Sequence, residues 1–275
     1  MIMKNTIILS LILLFAVDQF SLCAQGFSGI ATYQSSAGIK INMGDEIAKA
    51  EQERIQNELS KKFQKEHELH FTSNESTWRK IESLDATPKV TGNSGMEFLM
   101  MSSGKGGVLY KNTAERRYER EEDLMGKSFI IKDSLPHYDW QLTNETKKIG
   151  AYNCQKAIFT KVVETKNFST DMEEMETGTD TLKTEAWFTM DVPVSNGPND
   201  YYGLPGLILE VKTGNRVVIC TKIVLNPETG IEIEKPKKGK VMDAKSYQAL
   251  SEKKMQEMMM RYSGDGESIQ IKVGG

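Results

Sequence analysis

The chain is poor in the residues that build most chemical sites. Only 3 His and 3 Cys occur in 275 residues, too few ligands for a rich metal cluster and too few cross-links for a disulfide scaffold. Basic charge is not in excess either: 35 Lys and Arg face 38 Asp and Glu, giving a net charge of −3 and a pI near 5.8. That balance argues against a nucleic-acid partner, whose binding rests on displacing counterions from many phosphates. No apolar run reaches the roughly 20 residues that a membrane-crossing helix needs. No Gly-x-Ser-x-Gly elbow, Walker loop or dinucleotide fingerprint is present, so no cofactor is indicated and no reaction is named. What the chain does have, 39% hydrophobic and 27% charged residues, is the composition of an ordinary globular protein.

The first residues read as an export signal. Lys4 is followed by the apolar stretch IILSLILLFAV at 7–17, and Leu22-Cys23-Ala24-Gln25 places a small Ala where a signal peptidase cuts. Residues 1–24 are therefore expected to be a signal peptide, leaving 25–275 as one exported domain of periplasm or outer cell surface. Acylation of Cys23 is the rival processing; it prefers a small residue before the cysteine, and Leu22 is large. Cutting after Ala24 leaves Cys154 and Cys220, which form either a disulfide or two separate buried thiols. A bridge between them would contribute about 4 kcal/mol in the chain-entropy picture.

Alternation of apolar and polar residues predicts many short strands: 27–33, 68–72, 77–79, 108–110, 116–118, 129–131, 139–142, 154–163, 182–190, 207–211, 217–225 and 268–273. Two amphipathic helices are expected, over 45–67 and 244–262. Residues 83–107, rich in Gly, Ser, Thr and Asn, read as a loop, and the acidic run at 171–178 as a hairpin tip, since it lacks the alternate-ligand spacing of a calcium loop. The basic run at 234–240 reads as a charged turn. The resulting class is α+β, a large and mostly antiparallel sheet with two or more helices.

Few constellations carry chemistry. His67-Glu-Leu-His70 falls short of the five-residue zincin motif and offers no third ligand. His137 lies beside Asp133, Ser134 and Asp139, so a hydrolase using His137 can be written down, although triads assemble from distant segments. Met255, Met258 and Met259 recur at helical spacing; thioethers can hold copper, and the same stripe can pack as an adaptable apolar surface.

The strongest pattern runs from Trp187 through Pro193 and Gly197-Pro198 to Gly203-Leu204-Pro205-Gly206-Leu207-Ile208-Leu209. Pro205-Gly206 is a tight-turn signal feeding an apolar strand, and Pro205 pushes Leu204 into an extended conformation. The segment suits a stiff elbow plugging one end of the sheet, or a rigid rim around a binding surface. From about 140 to 224 the chain resembles the GLPGLI family, on Tyr202-Gly-Leu-Pro-Gly-Leu-Ile208, on Trp187, Pro193 and Gly197-Pro198, and on Ala151-Tyr-Asn-Cys-Gln-Lys-Ala157. The resemblance implies an exported protein of Bacteroidota-type bacteria with no assigned catalytic residue, often accompanying TonB-dependent outer-membrane receptors. It also implies an open half-barrel similar to periplasmic lipoprotein carriers. On that reading Trp187, Leu207, Leu209, Met255, Met258 and Met259 would wall an apolar trough. The function expected is non-enzymatic binding of a hydrophobic ligand or of a segment of a receptor partner.

Overall fold

In the β1 strand, Gly29–Ala37, the residues Ala31 and Tyr33 are fully buried while Thr32 and Gln34 are not, the two-residue period of a sheet with one face on a core. This chain repeats that device many times. The computed structural model describes residues 27–37, 64–81, 107–168, 176–262 and 271–274, with the side chains of 37, 164–168, 176–177, 258–262 and 271–274 outside the description.

The other strands are β2 (Lys65–Phe71), β3 (Glu75–Lys80), β4 (Leu109–Asn112), β5 (Arg117–Leu124), β6 (Lys127–Ser134), β7 (Gln141–Ile149), β8 (Tyr152–Phe168), β9 (Glu176–Thr189), β10 (Leu207–Thr213), β11 (Arg216–Leu225), β12 (Lys240–Met242) and β13 (Ile271–Gly274). They form one sheet in the order β12-β6-β5-β4-β3-β2-β1-β11-β10-β9-β8-β13, with β7 also pairing β8. Only the β12–β6 pair is parallel. Among the described residues nothing pairs the two ends, so the sheet is open.

The sheet bends around its main core. Ala31, Tyr33, Leu69, Phe71, Trp78 and Leu109 from β1–β4 meet Cys154, Leu207 and Leu209 from β8 and β10 in one buried cluster. A second cluster, Ala157, Ala186, Phe188, Leu204, Ile208 and Val211, lies on the opposite face of β8–β10. Two covered faces explain the apolar run at the start of β10. A bulge adds to it: Ile208 faces Phe188 and Glu210 faces Trp187, leaving Leu209 as the extra residue, so that Val211 joins Ile208 in the second cluster while Leu207 and Leu209 stay in the first.

The α1 helix, Ala244–Tyr262, follows β12 directly. Asp243 caps it by accepting the Ser246 backbone N–H at 2.8 Å, and Asp133 of β6 accepts that of Ala244 at 3.0 Å. The Tyr247 ring meets the edge of Phe129 at 5.7 Å. It is the one helix among the described residues, against the two or more expected. Residues 45–63 of the other expected helix, the signal at 1–24 and the loop over 83–106 lie outside the described set. Residues 65–67 are strand instead, because Leu69 and Phe71 continue a two-residue alternation into a fully buried face. The acidic run is outside the description at 171–175 and continues β9 from Glu176. The β12 strand was not anticipated: three residues carry no readable period. No described helix is long and apolar enough to cross a membrane.

Candidate functional site

Between β9 and β10, residues 190–206 leave the sheet as a strap. Their course is set by short-range rules first. Val192, Val194, Asn196 and Pro198 are buried, whereas Pro193, Asn199, Gly203 and Pro205 are exposed. Gly203 holds φ +95°, and Gly206 passes so near Thr189 that a Cβ would lie 2.0 Å from its carbonyl oxygen. The strap folds back on itself through an Asn196–Tyr202 bridge, and Ile208 donates its N–H to the Asn196 oxygen at 3.0 Å.

Its far side docks on β3–β5. Ser76, Lys111 and Tyr118 share one ladder row, and Trp78, Leu109 and Arg120 the adjacent row on the same face. Ser76 donates its hydroxyl to Asn196 Oδ1 at 3.3 Å. Arg120 pairs with the Asp200 carboxylate. Lys111, fully buried, donates to the carbonyl oxygens of Gly197 at 2.9 Å, Asn199 at 2.6 Å and Tyr201 at 3.2 Å. Burial pulls its ammonium down to about 7, while the Asp200 carboxylate pushes it back up. Three converging acceptors favour the charged form further, since a neutral amine offers only two hydrogens.

On the other face the end of the strap gathers five half-buried rings: Tyr138, Trp140, Phe159, Tyr201 and Tyr202. Tyr138 stacks on Trp140 at 5.5 Å and meets Phe159 at 5.2 Å, Tyr201 at 5.5 Å and Tyr202 at 5.8 Å. The Trp140 indole N–H donates to the Tyr202 carbonyl at 2.8 Å, and the Tyr202 hydroxyl to that of Pro136 at 2.8 Å. Burial raises the Tyr138 phenol well above its ordinary value.

The expected residues divide. Leu204, Leu207, Ile208 and Leu209 are 0–1% exposed and belong to packed cores. Gly197 is buried against Ile208. Trp187 is half-buried, with Lys147 4.3 Å above its ring, and Lys147 is itself paired with Glu210 at 2.6 Å. Met255 is half-buried on α1; the side chains of Met258 and Met259 are outside the description. His137 is exposed, and the Asp133 carboxylate beside it is engaged by the backbone N–H groups of Ser134 and Ala244. His67 and His70 lie on a strand, where a three-residue spacing sends them to opposite faces. His67 stacks on Trp78 at 4.7 Å and burial lowers it to about 4, and His70 contacts Glu68 at 3.2 Å. Cys154 and Cys220 are free and buried in the same core, and burial pushes them up to about 11 and about 12.

Two features escaped the sequence. Lys111 falls just past the strand expected at 108–110, which in fact runs Leu109–Asn112, and no local signal marks it as buried. The ring cluster draws on three separate segments; the pairs Tyr138-x-Trp140 and Tyr201-Tyr202 were its only trace. A polar hollow of about 490 Å³ at the tips of β2–β3 and β4–β5 is lined by Thr72, Ser73, Asn74, Glu75, Asn112, Ala114 and Glu115.

The solved structures of PNGF-II in the C2 and P21 space groups are similar to this chain, with TM-scores of 0.48 and 0.47 and identities of 17% and 16%. They cover 83% and 82% of it, while it spans only 33% of each of them. No curated protein matches the chain. Over residues 140–210, from Trp140 through the strap to Glu210, the chain matches the model of a family described as a protein of unknown function (Porph_ging).

Proposed function

We propose that the chain is an exported, non-enzymatic binding module that presents the ring cluster of Tyr138, Trp140, Phe159, Tyr201 and Tyr202 to an apolar group. The observation that carries this reading is the gathering of five half-exposed rings beside the end of the strap. Aromatic side chains offer large contact area at low entropic cost and are enriched at recognition surfaces. The expected trough walled by Leu207 and Leu209 is less favoured, because both side chains are already used in packing. The GLPGLI resemblance adds the expectation of a half-barrel like that of lipoprotein carriers, a location in the periplasm or on the outer surface, and a TonB-dependent receptor as neighbour.

The test uses the chain from Gln25 onward. Organic extracts of the purified protein are analysed by mass spectrometry, and a fluorescent fatty acid is titrated against wild type and against Trp140→Ser and Phe159→Ser, each checked for retained fold. The expected result is a bound lipid or saturable probe binding that weakens by roughly tenfold in the variants, as loss of an aromatic anchor implies. Absence of both, or binding indifferent to the rings, overturns the reading.

A further inference from the structure

The strap joins strands that are far apart in the sheet. It leaves from β9, returns to β10, and between the two reaches β3–β5, from which β10 is separated by β11, β1 and β2. No strand pairing spans that gap among the described residues. Besides the apolar packing of Val192 and Val194 in the cluster that holds Trp78 and Leu109, three polar side-chain attachments do: Ser76 on Asn196, Arg120 on Asp200, and Lys111 on three carbonyl oxygens. The first is a single neutral hydrogen bond, and the second is partly exposed to water, which weakens an ion pair. The third is fully buried and satisfies every hydrogen of an ammonium group.

The geometry of that third attachment is that of a cation site. Main-chain oxygens of Gly197, Asn199 and Tyr201 converge from one loop on a single point at 2.6–3.2 Å, with the Asp200 carboxylate near enough to act on the charge placed there. The chain sends a tethered cation into it from β4. We propose that these three carbonyls form a cage selective for a small monovalent cation, filled by the Lys111 ammonium, and that the filled cage is what bolts the strap across the open sheet. Removing the cation takes from the carbonyl oxygens of Gly197, Asn199 and Tyr201 the donor they share and leaves that of Gly197 buried without it, a cost that neither Ser76 nor Arg120 offsets. An ammonium or potassium ion can replace it, being of the size and charge that such oxygens accept.

Two variants test this in the chain from Gln25 onward. Lys111→Met keeps the unbranched shape of the side chain to within one atom of its length and removes its charge; amide exchange over residues 191–206 should quicken roughly tenfold while β8 and β9 keep their protection. Unchanged exchange in the strap would overturn the bolting role. Lys111→Ala opens the cage, and its thermal midpoint should rise in ammonium or potassium chloride relative to equimolar choline chloride, a difference absent in wild type. Equal midpoints in the three salts would overturn the cage. If Lys111→Ala does not stay folded, its refolding yield in the same salts reports the same selectivity.

Discussion

A methyl group on Gly206 would lie 2.0 Å from the Thr189 oxygen and 2.6 Å from its carbon. Both atoms are backbone at the end of β9, which cannot retreat without breaking its pairing with β10. At Gly203 the constraint is different: φ is +95°, yet the nearest atoms to an added Cβ are 3.7 Å away on the Trp140 ring. Gly203→Ala should therefore cost only the left-handed strain, about 1–2 kcal/mol, whereas Gly206→Ala should cost more than about 3 kcal/mol, as backbone overlap requires strands to shift. Urea midpoints of the two variants check the order; equal losses would mean that β9 and β10 yield at this point. The sequence pointed to both glycines, because Pro-Gly before an apolar run is a local signal. It gave no hint of Lys111, whose burial depends on a strap 86–90 residues further along the chain arriving over its strand.

Among the elements, β7 shows how an open sheet guards an edge. Its outer side faces no strand among the described residues. Its pairing with β8 skips from Leu142 opposite Ala157 to Thr146 opposite Gln155, so Thr143, Asn144 and Glu145 bulge against Lys156 alone. Gln155 ties the bulge down by donating to the Thr143 carbonyl at 2.9 Å. Bulges and lysines on an edge discourage pairing with a second chain, and the exposed Lys148 stands three residues beyond the bulge. Deleting Asn144 and Glu145 should restore a flat ladder beside the exposed Leu142, which is 56% accessible, and light scattering should then show concentration-dependent oligomers. A variant that stays as monodisperse as wild type would remove the bulge from this role. Most strands were legible as alternating runs. The β7 strand was seen only at its start, because Gln-Leu-Thr-Asn-Glu-Thr-Lys-Lys-Ile has no apolar period for an edge to bury.

For the molecule as a whole, the bent sheet brings Cys154 of β8 and Cys220 of β11 into one core although β9 and β10 lie between their strands. Both are free thiols, the first donating to the Tyr152 carbonyl and the second to that of Lys222. Burial holds them at about 11 and about 12, so at pH 8 neither forms the reactive thiolate in the folded state. The chain from Gln25 onward, unfolded without reductant, should titrate two thiols with a disulfide reagent, and the folded chain almost none in the same time. No thiol after unfolding would show that the pair had become bridged.

The sequence by itself determined where most strands run, where the helix at 244–262 lies and where the glycine–proline elbow must turn, because each follows from neighbours within a few residues: alternation, caps and forbidden backbone angles. Tertiary structure alone decided that residues 65–67 extend β2, that Leu207 and Leu209 are packed in a core, that a lysine is caged by carbonyls, and that five rings from three segments meet. Those outcomes depend on which distant surfaces come together when the sheet bends, and a local pattern holds no information about that.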